Sequence, residues 1–447
     1  MSLNAVLKDK IFQKEISQPF ILVVNTFVWY VLTYFTLSNI LTQDAFNNQS
    51  LNLFAAYFIG ITVSAVVGSK LPIRRRDNLL KTWMLIGALA TLLLVILSSN
   101  NIVINVIVVT FLGASIGFGL PSCLSYFAKQ AKIEKRGILS GIVWSIVAFS
   151  VLALGFLGTI FGVLSLILIL AAWRLLGGFG FIFLGKKQTR VEMELPKSPG
   201  YFSIIRKKET LLFLLPWVMF MVINFAEKPM LQHFFGVSQY SLVESAEFVF
   251  IGIFAFIGGL VADIGGRKRV VIAGFVMLGF EYAILSVFSN AVNTVLVSYV
   301  FMTLDGVTWG LLFSVFFTVV WGDLGEHYEK EKFYVLGGVP LLLTNFLAVF
   351  ITPYAASIPL GTAFTVASFF LFAAVIPLMY APETLPEKSL KDRDLKSYLQ
   401  KAQKIVKKET AKKGVSEVKE KENEPEVEKE ENNVEYDEAR KLAEQYY

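Results

Sequence analysis

Asp305 is the only ionisable residue in the apolar run 292–321. A carboxylate there is costly to keep, so it points to a role that needs its charge, either binding a solute or a proton or cross-linking helices. Glu227 and Lys228 stand together near the end of the run 210–231, just before Pro229. The proline lacks a backbone donor and loosens a helix. The pair is either an outer gate or two charges at a surface. Arg174, in the run 162–185, and Glu281, in 270–288, are isolated charges. They read as snorkelling or structurally paired groups, or as part of a site. Neutral groups that could replace a solute's water are Asn25, Tyr30 and Tyr34 in 19–41, Trp144 in 138–158, Asn224 in 210–231, and Trp309 beside Asp305. For the aromatics, packing or interfacial anchoring is the competing role.

Other chemistries find no support. With one cysteine (Cys123) and two histidines (His233, His327), neither an internal disulfide nor a Cys/His metal cage can be built. Gly113-Ala114-Ser115-Ile116-Gly117 matches the nucleophile-elbow pattern. That motif needs a strand-to-helix turn, whereas this one lies inside an apolar run with both histidines elsewhere. There is no P-loop and no dinucleotide fingerprint. The expectation is no enzyme and no cofactor, with energy drawn from a solute or ion gradient.

The elements that must position these residues are membrane spans. The chain is 55% hydrophobic and only 17% charged, with 40 Phe, too apolar to cover a soluble surface. A bilayer core takes roughly 20 apolar residues of helix. Runs of that kind occur at 19–41, 51–70, 82–98, 102–127, 138–158, 162–185, 210–231, 246–264, 270–288, 292–321, 333–353 and 359–380. The fold class expected is all-α, with twelve transmembrane helices and a charged tail. The first run is too long for a signal peptide.

Charge orients the spans. Lys and Arg gather at 8–14, 70–81, 129–136, 186–208, 267–269 and 330–332, and are absent from the alternate connections 42–50, 99–101, 158–162, 232–245, 289–291 and 354–358. Positive residues stay on the cytoplasmic side. This alternation predicts a multi-pass protein of the cell membrane with both termini cytoplasmic. It also removes a nucleic-acid partner, because the basic residues are orientation signals, not one basic face.

Landmarks recur along the chain. Pro19 and Asn25 resemble Pro216 and Asn224; Gly68 and Arg76 match Gly259 and Arg267; Ser99-Asn100 matches Ser289-Asn290; and 134–141 resembles 331–338. Their common order predicts two similar six-helix bundles, 19–185 and 210–380. A cytoplasmic segment 1–18 precedes them, a linker 186–209 joins them and a tail 381–447 follows. Parallel repeats suit a pair of bundles rocking about a central site.

Gly259-Leu260-Val261-Ala262-Asp263-Ile264-Gly265-Gly266-Arg267-Lys268-Arg269 resembles the signature loop G-x-x-x-D-x-x-G-R-[RK] of the major facilitator superfamily, and lies between the eighth and ninth spans as in that family. The resemblance implies an inner gate built on Gly259, Asp263, Gly266, Arg267 and Lys268. Asp263 would be held by Arg267 and by the start of the fifth span near Gly137. It also implies that the first, fourth, seventh and tenth helices line a central cavity. The first-half copy departs from the pattern, with Pro72 about where the Asp should stand. Pro382-Glu383-Thr384 resembles the P-E-[ST] of sugar porters but lacks the Lys-Gly beside it. The fifth span lacks the glycine-proline pattern of drug/proton antiporters.

The expected function is secondary active or facilitated transport of a small organic solute by alternating access, as a symporter where a proton gradient drives it, in a monomer embedded in the lipid bilayer. The alternative is a non-transporting sensor or scaffold acting through its tail. In that tail Leu390, Leu395, Tyr398, Leu399, Ala402, Ile405 and Val406 have the spacing of an amphipathic helix, and 415–436 read as disordered.

Overall fold

The computed structural model describes residues 16–43, 46, 49–70, 76–97, 101–184, 198–290, 294–328 and 330–386. Pro72, the first part of the linker and the expected tail helix lie outside them. Every regular element among the described residues is helical. Inside a bilayer no water satisfies backbone groups, so an apolar run must close its own hydrogen bonds.

The spans are α1 (Ser17–Leu41), α2 (Ser50–Gly68), α3 (Arg76–Leu92, extended by a 3-10 turn Leu93–Ile96) and α4 (Ile102–Gln130). Helix Arg136–Leu184 breaks at Gly162 into α5 (136–161) and α6 (163–184). After a short helix Tyr201–Ile205 come α7 (Lys208–Phe235), α8 (Val237–Gly265) and α9 (Arg267–Val287). Then α10 runs Thr294–Leu311, passes into a π-helix over Leu312–Val320 and ends in the turn Trp321–Leu324. Last are α11 (Glu331–Ile351) and α12 (Leu360–Tyr380).

Among the described residues eleven helices are long and apolar enough to cross a membrane, with Ile133–Leu184 counted as one. Gly162, at φ +83°, has a backbone conformation that a Cβ would strain, and it makes this one helix two spans. Leu166 then folds back against Gly158. The expected connection 232–245 is not a loop. Only Gly236 separates α7 from α8, so the eighth helix begins nine residues before the expected 246.

The spans pack as two six-helix bundles, α1–α6 and α7–α12, with α5 lying along α8 and α2 along α11 between them. Small residues set the closest approaches. Gly113 and Gly117 of α4 sit on the backbone of α2, while Gly306 and Gly310 of α10 sit on the backbone of α8. The repeat is thus visible as packing. A Cβ at Gly310 would stand 2.8 Å from both the Ala255 nitrogen and the Ile251 oxygen, atoms that cannot swing aside. Gly310→Val should therefore cost about 1–3 kcal/mol and lower the thermal midpoint in detergent by roughly 5 °C. An unchanged midpoint would show the α8–α10 contact to be looser than this geometry implies.

Candidate functional site

A cavity of about 1120 Å³, measured to include its open mouth, lies between the bundles. Of the expected cavity residues, Asp305, Tyr30, Tyr34, Trp144, Asn224 and Trp309 line it, together with Lys228 of the expected outer gate. α1 and α5 supply one wall; α7, α8 and α10 supply the other.

Its aromatic face is ordered by stacking. Trp144 lies over Phe313 at 4.3 Å with the rings 8° apart, and Phe313 stacks on Trp309 at 4.6 Å. The Trp144 indole donates to Thr318 Oγ1 at 2.7 Å, and Thr318 Oγ1 donates to the Phe313 carbonyl at 2.9 Å. That second bond spans five residues, the register of the π-helix in which both sit. A π segment adds a residue to the turn and re-aims side chains, and such segments mark functional sites. Here it lets Phe313 and Thr318 both meet Trp144.

The polar side of the cavity is acidic. Asp305 shares this wall with Glu247 of α8, whose side chain lies against Gly306, the residue after Asp305. Lys228 donates to Glu244 Oε1 at 2.5 Å. Glu244 and Glu247 were missing from the sequence candidates. With 232–245 read as a loop, the start of α8 seemed to lie at the membrane surface, and nothing in the local pattern shows that this acidic stretch turns toward Asp305.

One expectation needs correction. Asn25 does not line the cavity. It is buried within the first bundle, donating to the Trp173 carbonyl at 2.6 Å and accepting from Arg174 Nη1 at 2.9 Å. Of the two structural alternatives for Arg174, snorkelling and pairing, the structure has pairing. The Arg174 guanidinium is fully buried between the rings of Trp29 and Trp83, 4.3 Å from each centroid, and also donates to Thr26. Two desolvated cation–π contacts hold α1, α3 and α6 together. Glu281 is 1% exposed, and neither of its carboxylate oxygens has a hydrogen-bond partner. Glu227, beside Lys228, is buried but turned away from the cavity, within reach of Tyr282 of α9.

The end of the bundles that carries the basic loops is latched. The Asp263 carboxylate accepts from the backbone amides of Gly137 (3.0 Å) and Ile138 (2.8 Å), at the positive end of α5 in the other bundle. Arg267 Nη2 is 3.7 Å from Asp263. Gly259 permits the approach, since a Cβ there would strike the Gly137 backbone. The sequence reading missed the centre of the latch. Asp323, in the last turn of α10, takes ion pairs from Arg136 of one bundle and Arg267 of the other. Arg136 also donates to the Ala128 carbonyl (2.6 Å) and to Glu326 (3.2 Å). Glu383 caps α9, accepting from the amides of Arg267 (2.9 Å) and Lys268 (3.2 Å). Lys268 Nζ reaches the Met379 carbonyl.

At the rim of this latch Lys330 donates to Glu326 at 2.5 Å and to the Gly322 carbonyl at 3.0 Å. Burial and the neighbouring Arg136 charge pull the Lys330 ammonium down to about 8. Burial pushes the Glu326 carboxyl up, but Arg136 and Lys330 outweigh it and hold it below the usual glutamate range. Between pH 8 and the usual lysine value of about 10.4, an unfolded chain binds the Lys330 proton and the folded one does not, so stability rises with pH across that window. Melts from pH 7.5 to 10 should show the wild-type midpoint gaining on that of Lys330→Gln as pH rises. Parallel curves would remove Lys330 as the titrating group.

No protein-family model and no curated protein matches the sequence. Solved structures do. The human organic anion transporter MFSD10 (TETRAN) superposes with a TM-score of 0.59 at 12% identity, over 82% of this chain and 99% of that one. A double-tryptophan mutant of XylE gives 0.61 at 14%, over 86% and 98%. FucP, a major facilitator superfamily transporter in the outward conformation, gives 0.59 at 14%, over 83% and 100%. Identities this low speak for architecture alone, and the architecture agrees over nearly the whole of each protein: the chain has the fold of major facilitator superfamily transporters.

Proposed function

We propose that the protein is a secondary transporter that carries a small organic solute across the cell membrane by alternating access, with the latched basic end and both termini in the cytoplasm. The bundles correspond to 19–185 and 210–380, joined by the linker 186–209. The observation that carries this reading is the pairing of a carboxylate-lined cavity between two bundles with an ion-pair latch that ties those bundles together at one end. Rocking the bundles apart at the latch would expose the same cavity to the other side. Asp305 binds the solute or the coupling proton. Asp263, Asp323, Arg136 and Arg267 hold the inner gate shut, and the Lys228–Glu244 pair lies toward the opposite end. The protein works as a monomer and draws on a gradient.

The test is uptake by the purified protein in liposomes, across sugars, carboxylates, amino acids and organic cations, with and without a proton gradient. Saturable flux of one solute class, absent from empty liposomes, is expected. No flux of any solute under either gradient would count against the reading.

A further inference from the structure

We propose that the end of the linker, residues 198–205, is a second clasp of the inner gate, crossing between α2 and α11 in place of the carboxylate that the first-half signature loop lacks. The inference rests on the transport reading and adds a part to its gate.

The argument begins with the repeat. Gly68 is the counterpart of Gly259, and 331–338 is the counterpart of 134–141. In the second half Asp263, four residues after Gly259, leaves the end of α8 and docks on the first turn of α5 in the other bundle. The matching clasp would run from the end of α2 to the first turn of α11. Four residues after Gly68 stands Pro72. A proline side chain has neither a charge nor a hydrogen-bonding atom, so it cannot make that clasp.

The linker supplies it. Lys332, in the first turn of α11, is the counterpart of Lys135. Its ammonium donates to the carbonyls of Ser198 and Pro199, each at 2.9 Å. The chain then enters the short helix Tyr201–Ile205, and the Tyr201 hydroxyl lies 2.5 Å from Ser69 Oγ, one residue past the end of α2. The direction of that bond is fixed. Ser69 has one hydroxyl proton, which goes to the Val66 carbonyl at 2.8 Å, so Tyr201 donates. The segment is seated rather than draped: Ser69 is 6% exposed, and Ile204 of the short helix is fully buried. Lys207, just beyond it, places its ammonium 4.8 Å from the centre of the Tyr328 ring. Lys332 and Tyr328 both belong to the second bundle, so the end of the linker moves with that bundle. Tyr201 is its reach into the first.

Two clasps do what one cannot. Asp263 and the ion pairs of Asp323 hold the side where α5 meets α8 and α10. A body held at one side can still pivot there. The Tyr201 contact holds the other side, where α2 lies along α11. Within the clasp the contacts act in series, because Tyr201 needs the footing that Lys332 gives the linker. The clasp and Asp263 act in parallel, because each steadies the closed arrangement by itself.

The test uses full-length protein in detergent, with Ser140→Cys in a Cys123→Ala background. Ser140 is fully buried and bonded to the Ser314 carbonyl of the other bundle, so a water-soluble maleimide reaches it only when the bundles part. With opening fast relative to the reaction, the labelling rate follows the open population. Tyr201→Phe removes one donor and should quicken labelling about fivefold. Ser69→Ala should match it. Lys332→Met should quicken labelling about fivefold to tenfold, with no further increase when Tyr201→Phe is added. Asp263→Asn combined with Tyr201→Phe should give about the product of the two single effects. Labelling at the parent rate in both Tyr201→Phe and Ser69→Ala would overturn the proposal, whatever happens to the melting midpoint. A full product for Tyr201→Phe with Lys332→Met would overturn it too, and these outcomes remain readable should Asp263→Asn fail to fold. Faster labelling in a protein that moves no solute in liposomes would remove the transport reading and keep the clasp. Solute flux with unchanged labelling would remove the clasp alone.

Discussion

In liposomes carrying Asp305→Asn, gradient-driven uptake is expected to fall by about 100-fold or more, while the protein inserts and melts as before. Asp305 is nearly buried and lines the cavity beside Glu244 and Glu247. The amide keeps the shape and removes the charge. Truncating one partner of a buried, hydrogen-bonded charge contact costs roughly 2–5 kcal/mol, and 2.7 kcal/mol is already about 100-fold. Initial rates in Asp305→Asn, Asp305→Glu and wild type, at equal amounts of inserted protein, measure it. Uptake that persists undiminished in Asp305→Asn would reduce Asp305 to a cross-link between α8 and α10. The second bundle would then need another carboxylate for the work, and Glu247, which lines the same cavity, is the one placed for it.

The second large effect concerns the latch. Asp323→Asn removes the one carboxylate shared by Arg136 and Arg267, whose side chains are at most 2% exposed. Breaking a buried ion pair by removing one partner costs about 3–5 kcal/mol, because the other charge is left uncompensated. Here two guanidiniums, one in each bundle, lose their nearest carboxylate, leaving Arg136 with Glu326 at 3.2 Å and Arg267 with Asp263 at 3.7 Å. Separating the bundles at this end returns both to water, so the cost falls on the closed arrangement. The open population should rise by about 100-fold or more. Ser140 is a natural reporter: it is fully buried, and its hydroxyl donates to the Ser314 carbonyl across the seam at 2.7 Å. In a Cys123→Ala background, Ser140→Cys should react with a water-soluble maleimide about 100-fold faster once Asp323→Asn is added. Replacing Arg136 by Met in the same chain should recover part of the closure, since it removes one of the two charges. Unchanged labelling would mean that Asp263 on the α5 amides closes the gate unaided.

The sequence by itself determined what depends on neighbours along the chain. Apolar runs of span length must become helices in a bilayer, and so all twelve expected spans are present. Gly162 turns the chain where no charge marks a loop, as the spacing of the runs requires. Asp263 was legible because its motif is contiguous and its partner is a helix start, which any sequence supplies through its backbone amides. Asp305 was legible because a lone carboxylate in an apolar run is costly wherever it points.

Only the tertiary structure decided which faces meet. Hydropathy says that a residue is at membrane depth, not which way it turns. Asn25 turned inward to Arg174 and Trp173, while Tyr30 and Tyr34 of the same helix turned to the cavity. Glu247 became the neighbour of Asp305 because α8 packs on α10 through Gly306 and Gly310, a contact between helices remote in sequence. In the sequence Arg136 looks like a loop charge that merely orients the chain, and Arg267 like a partner of Asp263 alone. They became a latch because Asp323, at the end of a different helix, stands between them once the bundles close. Local composition carries the cost of burying a group. The partner that offsets this cost comes from helix packing, and packing is set by all the spans together.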